Sequence, residues 1–238
     1  MSLSNSIARL ADYWRRHGIT ATMRRLGVAG KRTLFASRMV VFYCDLDAQR
    51  LKPVGTSKTF VVKRIESVCE LSPQHLHDIT DFWNTTLALR NIEERFEKGA
   101  ALWLVEFEGS VAGYGWTIAG RPISPYYFPL GLDDVQLFDF YVFPRFRGRA
   151  LHWLLTRHIL HSLACEGRAR AFADTAEWNQ AQLASFKLTP FRFLGYVKTY
   201  RLFGHLLSAW VADEAADSNV RSKRSGREIS NQAAQHEQ

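Results

Sequence analysis

The sequence predicts an α/β domain, a mixed sheet flanked by helices, preceded by a basic helical N-terminal extension. Three observations predict it. Runs rich in β-branched and aromatic residues alternate with amphipathic stretches in the order β-αα-β-β-β-α-β-α-β. Two of those runs, Ala101 to Phe107 and Val111 to Ile118, are separated only by Glu108-Gly109-Ser110, as in a hairpin. A strand-like segment from Val135 to Phe143 then passes through Pro144 into the basic turn Arg145-Phe146-Arg147-Gly148-Arg149-Ala150, which opens an amphipathic helix at Leu151.

Taken in order, the leader to about Arg38 spaces Ile7, Leu10, Ala11 and Trp14 as a helix does, and Gly18, Gly27 and Gly30 break it into pieces. Val40 to Tyr43 reads as a short strand. Asp45 to Thr59, with Pro53 and Gly55, reads as a connector, which places a boundary between a basic extension (1–57) and the main domain (58–211). Thr59 to Ile65 is a β-branched run, and Pro73 opens a helical region reaching Lys98 in two pieces. Arg121 to Asp134, rich in Pro, Tyr and Gly, reads as a loop before the central strand. The next helix carries Leu151, Leu154, Leu155, Ile159 and Leu163 on one face and ends at Gly167. Ala169 to Thr175 reads as a strand, Asn179 to Leu188 as a helix with Asn179 near its N-cap, and Phe193 to Phe203 as the closing strand. From Ala212 the apolar periodicity is lost, as in a disordered tail (212–238).

Composition narrows the function classes. With 238 residues, 47% of them hydrophobic, the chain can bury the core of one domain plus extensions. Cys44, Cys69 and Cys165 have no metal-ligand spacing, and an odd number makes no disulfide framework, so a reducing, cytoplasmic compartment is expected. No stretch approaches the ~20 apolar residues that span a bilayer, and no signal-peptide core is evident. The net charge of +8 is concentrated at the front, where residues 1–40 hold eight basic residues against Asp12 alone. Such a segment suits contact with an anionic membrane surface, packing across the domain, or a partner protein. Nucleic-acid binding ranks low as a primary function. No Ser-His-Asp arrangement, zinc spacing or Walker-type Gly-Lys-Ser/Thr is present, so hydrolase, metalloenzyme and nucleoside-triphosphatase readings lose ground.

The turn after the central strand carries the most chemistry. A helix start leaves backbone N–H groups without partners and favours negative charge, and Gly148 allows close approach while the arginines neutralise an anion. Arg-x-x-Gly-x-Ala after Tyr-Val-Phe-Pro resembles the acyl-CoA signature of the GNAT (GCN5-related) N-acetyltransferases, over about Lys58 to Gly204. The resemblance implies a mostly antiparallel sheet and acetyl-CoA as co-substrate. It places Arg145, Arg147, Gly148, Arg149 and Ala150 at the pyrophosphate, the backbone of Tyr141, Val142 and Phe143 along the thioester and pantetheine, and Asn179 at the pantetheine arm. A plain N-cap is the alternative for Asn179, and both roles are compatible.

The sequence departs from the family where a Tyr often acts as general acid, seven residues after that Asn; here the residue is Phe186. Tyr196 or Tyr200 is the candidate replacement, although a thiolate leaving group with a pKa near ~8.5 can depart without one. Asp139, within the apolar run Leu137 to Tyr141, is the candidate base, with burial raising its pKa; the alternative is a structural pair with an arginine. Asp133 and Asp134 suit a cationic or hydroxylated acceptor. Trp103, Trp116, Tyr126, Tyr127 and Trp178 suit an acceptor wall or simply core. His75, His77, His152, His158 and His161 read as surface or packing histidines, with no metal site among them. The expected function is acetyl transfer to a primary amine of a small metabolite or amino sugar. The rival is an inactive CoA-binding sensor or scaffold.

Overall fold

The computed structural model describes residues 14–15, 18–20, 22–23, 37–53, 60–80, 85–123, 130–202 and 205–212. Eight strands form one sheet in these residues: β1 (Ser37–Asp45), β2 (Phe60–Ile65), β3 (Ala101–Phe107), β4 (Ser110–Ala119), β5 (Asp134–Val142), β6 (Arg170–Ala176), β7 (Arg192–Leu202) and β8 (His205–Ala212). The helices are α1 (Pro73–Thr80), α2 (Thr85–Glu97), α3 (Leu151–Cys165) and α4 (Gln180–Phe186). The strand order is β2-β3-β4-β5-β6-β1-β7-β8. Only β5 and β6 pair in parallel, so the sheet is mixed and mostly antiparallel.

The β2 to β5 half follows sequence order. The β3–β4 hairpin turns through Glu108 and Gly109, both at positive φ, the geometry that tight hairpin turns demand. Leu151, Leu155, Ile159, Leu160 and Leu163 bury one stripe of α3 against Trp103, Val105, Val135 and Leu137 of the sheet. The other face of the sheet packs Leu102, Leu104, Tyr114 and Trp116 against Ile79 of α1 and Ile92 of α2.

The other half departs from the sequence-based expectation. Residues 37–45, assigned to the extension, form an interior strand: β1 pairs antiparallel with both β6 and β7. β1 therefore belongs to the sheet of the main domain, since Val41, Tyr43, Phe172, Leu194 and Val197 make one buried cluster across β1, β6 and β7. β8 was not anticipated; it adds an edge strand after β7. The expected tail beyond residue 212 and most of the leader lie outside the described residues. Of the leader, residues 14–15, 18–20 and 22–23 are helical.

The parallel contact between β5 and β6 is short. It starts at Asp134↔Arg170 and ends at Leu137↔Ala173, although both strands continue. Its start is pinned by an ion pair: the Arg170 guanidinium donates from Nε to Asp134 Oδ1 at 2.9 Å and from Nη2 to Oδ2 at 3.0 Å, with both side chains buried. Asp134 is thus committed to the fold and is not available to an acceptor. Beyond Leu137, β5 bulges at Asp139, whose φ is +50°, and the β4–β5 register slips between Tyr114 and Trp116. Two β4 glycines make room for it. A Cβ on Gly113 would sit 2.5 Å from the Tyr141 carbonyl oxygen, and one on Gly115 would sit 2.6 Å from the Phe140 ring.

Candidate active site

Past Leu137 and Ala173 the two parallel strands form a fork, at the carboxyl ends of parallel strands where open α/β sheets bind ligands. β5 keeps its pairing with β4, but its ladder with β6 ends at Leu137, so among the described residues no strand pairs the β6 side of Phe138 to Val142, where Arg147 Nε donates to the Val142 carbonyl at 3.3 Å. A cavity occupies the fork, lined by Asp139, Phe140, His152, Asp174, Gln182 and Phe186 among others.

At the tip of β5 the chain turns through Pro144–Phe146 into α3. Phe146 is buried and anchors the turn, while Arg145, Arg147, Gly148, Arg149 and Ala150 are exposed. Gly148 has φ +81° and Ala150 φ +55°. Ala150 is the N-cap of α3 and contributes no side-chain cap, so the first backbone N–H groups of α3 are left for an incoming acceptor of hydrogen bonds. The arginines lie on aromatic rings: Arg145 on Phe146 at 4.7 Å, Arg147 on Tyr141 at 5.8 Å and Arg149 on Phe107 at 4.8 Å. Stacking of this kind leaves the guanidinium edges available for bidentate contact with an anion.

The residues expected to do chemistry fare differently. Asp139 is not buried in an apolar run: its side chain is 37% exposed, and Arg95 Nη1 donates to its Oδ2 at 2.6 Å. The bulge turns it out of the strand, so the structural ion pair is the arrangement found. Arg95 in turn lies over Trp116 and Phe138. Tyr196 lies on β7, separated from β6 by β1, two strand spacings or roughly 10 Å away. Its ring stacks with Arg38 and Phe193 and does not line the fork. Asn179 caps α4, its Oδ1 accepting from Gln182 N at 3.3 Å. Phe186 is buried, stacked on Phe42 at 4.4 Å and edge-on to Phe191 at 5.3 Å. Through Phe42, the interior strand β1 supports one wall of the fork.

Two further residues line the fork: His152, which the sequence reads as a surface or packing histidine, and Asp174, which sequence reasoning passed over. His152, one position into α3, packs on Phe140 and hydrogen-bonds through Nδ1 with Ser185 Oγ at 2.7 Å. Burial pushes its pKa down to about 4, so the imidazole is neutral at pH 7. Asp174 is the first β6 residue beyond the parallel ladder, and burial pushes its pKa up to about 6, against a hydrogen bond from the Gln136 side chain. Only the alternation of Ala173 and Asp174 hints at it in the sequence. Of the expected aromatic wall, Trp103 and Trp116 are buried in the core, Trp178 is exposed, and Tyr126 and Tyr127 lie outside the described residues. Among the described residues no three His, Cys, Asp or Glu side chains cluster to hold a metal. A wider concavity lies at the other end of α3, beside Asp47, Arg50 and Arg168, about 22 Å from the turn, and holds none of the expected site residues.

The model of the acetyltransferase (GNAT) family matches residues 65–189, just over half of the chain. The chain belongs to this family. It is 28% identical to the mouse protein N-acetyltransferase 8 over 136 residues, 57% of this chain and 52% of that protein, so the match spans about half the length of this curated relative. A tandem GNAT protein from the clavulanic acid biosynthesis pathway superposes with a TM-score of 0.52 at 15% identity, covering 77% of this chain and 58% of the other, which is a likeness of fold. Acetyl-CoA is the co-substrate of the family. The observed features fit it: an open β5 edge, a left-handed turn at Gly148 and Ala150 presenting helix-start N–H groups, and three exposed arginines around them. The 52% coverage leaves the activity and acceptor of this GNAT chain to be argued from its own residues.

Proposed function

We propose that this protein is an acyl-CoA-dependent N-acyltransferase that moves an acetyl group to a primary amine of a small metabolite or amino sugar. The observation that carries the reading is the junction of the open β5 edge with the arginine-ringed start of α3. When bound, acetyl-CoA supplies an acyl carbon activated as a thioester. Arg145, Arg147 and Arg149, with the N–H groups at the start of α3, hold the pyrophosphate end. The backbone of Tyr141, Val142 and Phe143 lines the pantetheine, and β5 N–H groups at the fork stabilise the developing oxyanion. Asn179 closes the α4 side, with its Oδ1 already engaged as a cap. No phenol stands at Phe186 or at the fork side of Tyr196, and a thiolate can leave without one.

Calorimetric titration of acetyl-CoA tests the reading, with Gly148→Glu as the control because its carboxylate would face the pyrophosphate at a left-handed position. Micromolar binding by the unaltered protein, weakened at least a hundredfold in the variant, is expected; no binding by the unaltered protein would remove the reading. Phe186, locked between Phe42 and Phe191, is the observation that favours a CoA-binding sensor instead. Binding without thiol release on any amine would support that alternative.

Peripheral membrane contact through the leader is a separate proposal, supported by the exposed Trp14, Ile19 and Met23 beside the basic residues. Co-sedimentation with anionic vesicles, lost on removal of residues 1–36, would bear it out. The cut must stop there because β1 begins at Ser37.

A further inference from the structure

We infer that Asp174 receives the acceptor's ammonium group at the fork and takes its proton, so that the acceptor is a cationic primary amine entering from the sheet face opposite α3. The inference rests on the acyltransferase reading and names a base and a substrate charge that the reading lacks.

Three carboxylates stand on β5 and β6, and two are neutralised. Asp134 is held by Arg170 at the closed end of the fork, and Asp139 by Arg95 at the bulge. Asp174 lines the same cavity as Asp139, and among the described residues no basic side chain pairs with it. Because side chains alternate along a strand, and Ala171 and Ala173 belong to the α3-side core, Asp174 points to the opposite face. There Gln136 holds it. The Gln136 Oε1 accepts from the Ile123 backbone N–H at 2.8 Å, which fixes the amide, and its side chain hydrogen-bonds the Asp174 carboxyl. The carboxyl therefore stands beside the open end of the β5 edge without a cation, and an ammonium group would supply one.

Among the described residues, two other titratable groups line its cavity. From β5 comes Asp139, tied to Arg95 of α2; from α3 comes His152, kept neutral by burial; from β1 the register neighbour is Val41. In this setting Asp174 titrates at about 6, close to the range in which a general base is most effective. Asp174 takes one proton from the ammonium. The freed nitrogen lone pair bonds to the thioester carbonyl carbon, the carbon–sulfur bond breaks with its electron pair on sulfur, and the second nitrogen proton reaches the sulfur. The products are an N-substituted acetamide and a free thiol, and Asp174 returns its proton to solvent.

Two measurements on the full chain test this. The first follows the Asp174 side-chain carboxyl carbon by NMR, with Asp174→Asn assigning the resonance. A titration near pH 6 and a shift on adding ethylammonium chloride, unmatched by sodium chloride at equal ionic strength, are expected; an ordinary carboxylate titration or no response to ethylammonium overturns the inference. The second measures thiol release from acetyl-CoA with ethylamine, phenethylamine, spermidine and glucosamine. Asp174→Asn is expected to lower kcat/KM at least a hundredfold and abolish its acid limb while leaving the acetyl-CoA dissociation constant within threefold. A variant that keeps its rate and acid limb overturns Asp174 as the base and leaves the acyltransferase reading standing. Loss of acetyl-CoA binding by the unaltered protein removes that reading itself.

Discussion

At the turn into α3 the charged groups are Arg145, Arg147 and Arg149, whereas at the fork they are the carboxylates of Asp139 and Asp174. The basic side comes from one run of residues held by backbone geometry: a buried Phe146, a left-handed Gly148 and the start of a 15-residue helix. The acidic side is assembled from β5, β6 and α2, and its charges are fixed by side-chain partners, Arg95 for one and Gln136 for the other. The contrast teaches how two substrates of opposite charge can meet. On the proposed reading each is attracted to its own group of charges, and the gap between β5 and β6 is where their reacting ends would come together.

The bulge at Asp139 belongs to both sides, so disturbing it tests the comparison most strongly. Gly115→Ala forces a Cβ against the Phe140 ring and is expected to cost about 2 kcal/mol of stability in denaturant unfolding. It should also weaken acetyl-CoA binding by re-aiming the β5 edge. A variant as stable as the parent would show that the slip at Tyr114–Trp116 does not depend on this glycine.

A smaller effect comes from the opposite pKa shifts across the fork. His152, with an ordinary value of 6.5 and a folded value of about 4, takes up protons more readily when unfolded, so its stabilising share is lost as pH falls from 6.5 towards 4. Asp174, with an ordinary value of 3.8 and a folded value of about 6, prefers its proton when folded, so its share is lost as pH rises from 4 through 6. The two slopes oppose each other between pH 4 and 6. Asp174→Asn removes one of them: thermal unfolding should become more acid-sensitive over that window, and the variant should gain on the order of 1–2 kcal/mol at pH 7. Parallel pH–stability curves for variant and parent would contradict the burial of Asp174.

Smallest is the backbone strain on the basic side. Ala150 adopts φ +55°, a conformation that glycine reaches without a Cβ penalty. Ala150→Gly is expected to stabilise by about 0.5 kcal/mol, since part of the relief is offset by the freer unfolded chain. A loss of stability would mean that the Ala150 methyl makes contacts outweighing the strain.

Legibility in the sequence followed locality. Strands β2 to β6 and helix α3 fall within one or two residues of their expected bounds, because a period of two or of 3.6 with a turn signal at each end specifies them. The basic turn was legible for the same reason. β1 was legible as a strand but not as an interior one, since nothing in residues 40–43 states which distant strands flank them. β8 was missed although only residues 203–204, including Gly204, separate it from β7, a hairpin spacing. For Asp139 the pairing with an arginine was legible as one of two readings, but its expected burial was not met, because alternation assumes a regular strand and Gly113 and Gly115 of a neighbouring strand make room for the bulge. Tyr196 was misplaced because β1 comes between β6 and β7. Asp174 has only its alternation with Ala173 as a local mark, since its character derives from where the β5–β6 ladder stops.

The interior position of β1 also sets a schedule for folding. β1 is the first strand among the described residues, yet Met39 pairs with Ala176 and Ser37 with Thr199, so both of its edges wait roughly 130 to 160 residues for their partners. The half of the sheet containing β6, β1 and β7 closes only after β7 has emerged. Until then a nine-residue strand with an apolar stretch from Met39 to Cys44 has neither neighbour, and this interval is when the chain is most open to pairing with another copy of itself.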